Sequence, residues 1–103
     1  MYRECPAKLT MAKMFLKDGL FDESTYTCKV VRYIPEKESI YLLTGKTELP
    51  TFSLDAIYDC SIHEEDEVIK CQGVITERYS NKHGRIIVFR IKNGFYKNTI
   101  NRI

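Results

Sequence analysis

After Glu23 the chain alternates short runs of β-branched and aromatic residues with polar turns, the pattern of antiparallel strands. Tyr26 to Ile34 and Ile40 to Leu43 flank the turn Pro35-Glu36-Lys37-Glu38, and pairing across it sets Val31 opposite Leu42 and Tyr33 opposite Ile40. Gly45, Lys46 and Thr47 then lead through Leu49 and Pro50 into Phe52 and Leu54, a less regular connection. Ile57 to His63 and Val68 to Tyr79 are joined by Glu64, Glu65, Asp66 and Glu67. With those four acids as the turn, Cys60 faces Cys71, Ile62 faces Ile69, and Tyr58 covers Gly73, an aromatic compensating for a missing side chain. The next turn, Ser80 to Gly84, returns the chain through Arg85 to Lys92, with Ile75 opposite Phe89 and Gly73 opposite Ile91. One long central strand thus belongs to two hairpins, and Ile62, Cys71, Ile75, Ile87, Phe89 and Ile91 point inward.

Ahead of the strands, Pro6 to about Lys17 reads as a short helix. Proline suits its first turn, Gly19 its end, and Leu9, Met11, Ala12, Phe15 and Leu16 make a broad apolar face opposite Thr10, Lys13 and Lys17. The expected fold is therefore mainly β: a small antiparallel β-barrel of five to six strands within residues 25–92. One N-terminal α-helix, about 6–18, lies across an opening. Residues 98–103 form a polar tail.

Composition narrows this reading. The 103 residues, 44% hydrophobic and 29% charged, suit one globular domain over 1–103 and leave no room for a cleft between two. Apolar runs are too short for a membrane span or a signal-peptide core, so a cytoplasmic chain without membrane contact is expected. Cys5, Cys28, Cys60 and Cys71 form no C-x-x-C pair, and with only His63 and His83 beside them no zinc spacing arises. Buried, reduced thiols follow, Cys60 and Cys71 as cross-strand neighbours. The net charge of +2 hides an asymmetry: residues 1–67 carry eight Lys/Arg against thirteen Asp/Glu, whereas residues 68–103 carry eight against Glu77 alone.

No constellation dictates a reaction. Gly45-Lys46-Thr47 ends like a phosphate-binding loop, but residue 40 is Ile where that motif needs glycine, and Pro50 interrupts the helix it needs next. The acids 64–67 lack the alternating ligand spacing of a calcium loop. His63 and His83 occupy a strand end and a turn without an orienting partner. No catalytic residue, metal or cofactor is assigned. The most distinctive surface is the basic hairpin, where Arg78, Tyr79, Lys82, Arg85 and Arg90 interleave cations with an aromatic ring, as in barrels that bind single-stranded nucleic acid.

The order of features from Tyr26 onward resembles bacterial PilZ-type barrels. It comprises the first hairpin, a Gly-containing connection, Ile57-Tyr58-Asp59-Cys60-Ser61-Ile62, Gly73-Val74-Ile75-Thr76-Glu77-Arg78-Tyr79 and Arg85-Ile86-Ile87-Val88-Phe89-Arg90-Ile91. In particular it is similar to the split barrel N-terminal to the PilZ domain in flagellar-brake proteins. PilZ domains that bind cyclic di-GMP carry R-x-x-x-R followed by [D/N]-x-S-x-x-G. Here Asp59 and Ser61 match, Glu64 stands in the glycine position, and no R-x-x-x-R occurs. The resemblance thus implies an accessory barrel from a bacterium that does not sense the dinucleotide and acts through protein contacts. The expected function is a non-catalytic regulatory or interaction module that binds another protein or a second copy of itself. Single-stranded nucleic acid is the alternative partner, held by the basic hairpin.

Overall fold

The computed structural model describes residues 2–15 and 21–99, the last five of these as backbone only. Six antiparallel strands make one sheet: β1 (Pro6–Met14), β2 (Thr25–Ile34), β3 (Ser39–Leu43), β4 (Ala56–Glu64), β5 (Glu67–Asn81) and β6 (Gly84–Thr99). They lie in the order β1-β2-β3-β6-β5-β4, and β4 pairs back onto β1, so the ladder closes into a barrel without a free edge.

The expected N-terminal helix is corrected to a strand as far as Met14; residues 16–20, the rest of that segment, lie outside the described residues. The apolar positions that fit a helical face also fit a period of two. Ala7, Leu9 and Met11 are buried while Lys8 points to solvent, and a bulge at Ala12 shifts the phase before Met14. Tertiary pairing decides between the two patterns. β1 is the strand that closes the ring, hydrogen-bonded to β2 on one side and β4 on the other, and a helix there would leave both neighbours with open edges.

The β4–β5 register is the expected one: Tyr58 faces Gly73, Cys60 faces Cys71 and Ile62 faces Ile69. The turn between them is tighter than four acids, because Glu64 pairs with Glu67 and only Glu65, at φ 51°, and Asp66 reverse the chain. Ile75 opposes Phe89 and Gly73 opposes Ile91, also as expected, but β6 runs beyond Lys92 to Thr99. In the first hairpin Tyr33 faces Ile40, whereas Leu42 pairs with Val30 and not with Val31. A bulge at Val31 displaces the register by one residue, which cross-strand counting from the turn cannot detect. Further bulges interrupt β5–β6, and each sharpens the twist that a closed ring of only six strands requires.

The interior is filled by alternate side chains from every strand. Leu9, Val30, Ile40, Leu42, Tyr58, Ile62, Ile69, Ile75, Ile87 and Phe89 are almost wholly buried, and Cys28, Cys60 and Cys71 join them as free thiols. Residues 44–55, whose strand content the sequence left open, form a loop with a 3₁₀ turn at Leu49–Thr51 that carries Phe52 into the core at one barrel end. Phe52 meets the Tyr26 ring edge-on at 5.2 Å, and the Tyr58 hydroxyl accepts a hydrogen bond from the Ser53 N–H at 2.9 Å. Every buried side-chain polar atom among the described residues has a partner.

Candidate interaction surface

The five residues of the basic hairpin do not share a face. Directly opposed residues of an antiparallel ladder point to the same side, so a partner's burial fixes each orientation. A bulge at Thr76 reverses the alternation of β5, after which Arg78 pairs with the inward Ile87 and Tyr79 with the outward Ile86. Arg78 therefore turns toward the barrel end and donates a 2.7 Å hydrogen bond to the Phe52 carbonyl. Arg85 donates to the Gly45 carbonyl at 3.2 Å and forms an ion pair with Glu48 at 3.1 Å, while its own carbonyl accepts the Thr44 N–H at 2.9 Å. Both arginines thus fasten loop 44–55. Lys82 is exposed at the hairpin tip, and Tyr79 and Arg90 stand on the outer wall. The acidic turn at Glu65 and Asp66 lies at the opposite end of β5 from that tip.

The role of Arg78 has a measurable consequence. Arg78→Ala is expected to cost about 1.5–3 kcal/mol, the range for a hydrogen bond involving a charged group. It should also accelerate limited proteolysis within residues 44–55, while Arg90→Ala leaves that cleavage unchanged. Equal cleavage rates in the two variants would count against the clasp.

On the outer wall, the ladder registers assemble a surface that hairpin charge alone does not reveal. One row crossing β2, β3, β6 and β5 reads Lys29, Leu43, Ile86, Tyr79; the next reads Arg32, Tyr41, Val88, Glu77; the third reads Ile34, Ser39, Arg90, Val74. Ile86 and Val88 are only 2% and 4% exposed, yet they belong to the outer face and not to the interior cluster. Outward side chains of a small barrel are ordinarily polar. Here Tyr41, Leu43 and Tyr79 stand beside Ile86 and Val88 in an apolar strip; the last two are already buried by their neighbours, so the apolar surface open to a partner is that of the first three. Burial and the proximity of Tyr41 and Glu77 together raise the Tyr79 phenol above its ordinary range, consistent with two neighbouring rings on this strip.

Of these residues the basic-hairpin reading included only Tyr79 and Arg90. The missing signal was the unbroken run Ile86-Ile87-Val88-Phe89, since four consecutive apolar residues in one strand imply that both faces are covered. Around the strip, Arg32, Arg90 and Glu77 make no ion pair among the described residues. A shallow groove of about 550 Å³ follows Tyr41, Val88 and Arg90 toward Glu36, Lys37 and Glu77, giving it mixed charge.

Other polar clusters are less organised. Ser61 Oγ lies 3.3 Å from His63 Nε2 on the outer wall, but no described carboxylate is hydrogen-bonded to that imidazole to orient it. No group of three or more potential metal ligands occurs among the described residues. No described helix is long and apolar enough to cross a membrane. No protein-family model matches the chain, and neither does any curated protein or solved structure.

Proposed function

We propose that this chain is a non-catalytic regulatory or interaction module of PilZ-like type that binds protein through the outer wall of β3, β6 and β5. The observation that carries the reading is the group of partly exposed apolar side chains Tyr41, Leu43 and Tyr79, set beside the buried Ile86 and Val88 on a wall whose remaining outward positions are largely polar or charged. Aromatic and aliphatic side chains flanked by unpaired charges supply the apolar centre and polar rim of a protein contact. The nucleic-acid reading draws less support, because Arg78 and Arg85 are already committed to carbonyl groups of loop 44–55. Glu77 and Glu36 also stand beside the strip, where they repel phosphates.

A photo-crosslinking amino acid at position 41, introduced in the source cells, tests the reading directly. A protein adduct is expected from position 41 on β3 and not from position 59 on β4, which lies across the ring from it. No adduct at 41, or equal adducts at both, would remove the outer wall as the contact surface. Salt-dependent binding of a labelled mixed-sequence oligonucleotide, lost in Arg90→Ala, would favour the nucleic-acid alternative instead. The module is read as not binding cyclic di-GMP, because the paired arginines that would grip it are missing. Saturable binding of that nucleotide by fluorescence anisotropy would contradict this part.

A further inference from the structure

We infer that the partner of the outer wall is an acidic segment of another protein, bound in extended form along β2 and β3, with acidic and apolar residues alternating in it. The inference rests on the protein-contact reading of that wall and carries the surface across β3 onto β2. Its basis is two lines of outward side chains on neighbouring strands. Along β3 stand the apolar Leu43 and Tyr41, and along β2 the cations paired with them, Lys29 and Arg32.

The bulge on β2 builds this arrangement. It sets two residues, the half-buried Val31 and the exposed Arg32, opposite Tyr41 alone. Another cation arrives from the segment ahead of β1. The Glu4 N–H donates to the Val30 carbonyl at 2.8 Å and the Val30 N–H to the Cys5 carbonyl at 2.9 Å, which fastens that segment to β2 beside the bulge. Tyr2 and Glu4 adopt left-handed backbone, φ 63° and 70°, which residues other than glycine rarely do and which recurs at ligand clamps. Between them Arg3 is exposed, while Tyr2 turns back onto the Tyr33 ring, 5.8 Å between centres. Arg3, Val31 and Arg32 line a depression of about 440 Å³. Past Arg3 and Val31 it continues into a second of about 260 Å³ that reaches Lys29, Leu43 and His83.

Lys29 is neutralised by Glu4 at 3.1 Å, but Arg3 and Arg32 make no ion pair or hydrogen bond through their side chains among the described residues. Their guanidiniums suit a planar oxyanion, carboxylate or phosphate. The apolar line favours carboxylate, because the apolar side chains of a peptide cover Tyr41, Leu43 and Val31 whereas a sugar–phosphate backbone leaves them bare. A phosphate backbone also carries a charge at every nucleotide and places one beside Glu4; a peptide needs acidic residues only opposite Arg3 and Arg32. In an extended segment, side chains on one side recur every second residue, about 6.7 Å apart. Tyr41 and Leu43 have the same repeat along β3. Such a segment, laid between the two lines, directs alternate side chains to the arginines and to Tyr41 and Leu43.

A labelled peptide of alternating glutamate and leucine is the probe, followed by fluorescence anisotropy with the purified chain. Saturable binding is expected with a dissociation constant of about 10–100 µM, weakening as salt is added. Arg3→Glu and Arg32→Glu should each weaken it at least ~10-fold, whereas Lys70→Glu, on β5 across the ring from β2, should change it by less than about twofold. An all-glutamate peptide of the same length should bind at least ~10-fold more weakly, because no leucine is buried on the apolar line. Circular dichroism should be unchanged in the three variants, since all three positions are exposed. No saturation by about 1 mM, or equal losses in Lys70→Glu and Arg32→Glu, would overturn the inference. So would a mixed-sequence oligonucleotide that binds more tightly than the peptide through the same two arginines, which would make the anion a phosphate. In cells, the adduct at position 41 should disappear in Arg3→Glu/Arg32→Glu. An adduct that survives both reversals leaves the protein-contact reading standing and removes the acidic partner. If position 41 gives no adduct in the parent chain and the peptide does not bind, both fail.

Discussion

Gly73→Ala is expected to destabilise the fold by about 3 kcal/mol or more, at or above the upper end of the usual range for overpacking. A Cβ at position 73 would lie 2.1 Å from the Arg90 carbonyl oxygen and 2.9 Å from both the Arg90 carbonyl carbon and the tip of the Phe89 ring. Two of the three obstructing atoms are backbone. A side chain can swing aside, but the Arg90 carbonyl belongs to β6, which is held by β3 on one side and β5 on the other. The crowding arises where β6 bulges past Gln72 and Gly73, bringing its main chain over the glycine. Relieving it requires separating β5 from β6. For a domain of this size, 3 kcal/mol lowers the melting temperature by roughly 12 °C or more. Gly94→Ala supplies the control, since nothing lies within 4 Å of a Cβ there. A thermal melt of Gly73→Ala within about 3 °C of the parent would show that β6 yields where the packing argument holds it fixed.

The same glycine illustrates what was legible in the sequence. Tyr58 opposite Gly73 and Ile75 opposite Phe89 followed from counting outward from two turns, because a hairpin turn fixes register and alternate burial fixes the face. Bulges were invisible to that counting. An extra residue at Val31 displaced Leu42 onto Val30, and one at Thr76 sent Arg78 to the barrel end while Tyr79 stayed on the wall. A cluster that looked like one basic surface was thereby divided between a loop clasp and a contact strip. β1 was illegible for a different reason. Its residues fit both periods, and only the unfilled position between β2 and β4 selects the strand. The outer strip was partly legible, since Ile86-Ile87-Val88-Phe89 announces burial on both faces, but its extent depends on Tyr41 and Arg32, which reach it only through long-range pairing.

Those pairings also separate the protein's two kinds of buried surface. The inner cluster decides whether the chain folds; the strip above Ile86 and Val88 lies outside it, so exposed residues at its rim can be exchanged without emptying the interior. Arg32 and Glu77 are such residues, whereas truncation of the buried Val88 would also cost packing.

Alkaline unfolding between pH 9 and 12 is the second large effect expected, and it originates in the barrel's thiols. Burial pushes Cys28 up from the ordinary value of 9.0 to about 12. Cys60 is raised well above 9.0, first by its hydrogen bond with Cys71 and then by burial. A thiol is neutral when protonated, so a raised value means that the folded state holds its proton after the unfolded chain has released one. Below pH 9 both states are protonated and the full stability is present. Above it the unfolded state binds fewer protons, and each such thiol removes about 1.4 kcal/mol per pH unit. For Cys28 the loss continues until about pH 12, where the folded state also ionises. From pH 9 to pH 11 Cys28 alone removes about 2–3 kcal/mol, a large share of the ~5–15 kcal/mol typical of a domain. Urea midpoints measured at half-unit steps should therefore fall steadily above pH 9. Cys28→Ala leaves a cavity and lowers stability at every pH, so the slope is the diagnostic quantity and not the midpoint. That variant should flatten the alkaline limb by about 1.4 kcal/mol per pH unit, with the slope that remains belonging to Cys60 and, above pH 10, to phenols raised by burial such as Tyr58. An unchanged slope in Cys28→Ala would mean that this thiol ionises inside the folded barrel at its ordinary pH, which a dry, close-packed interior does not permit.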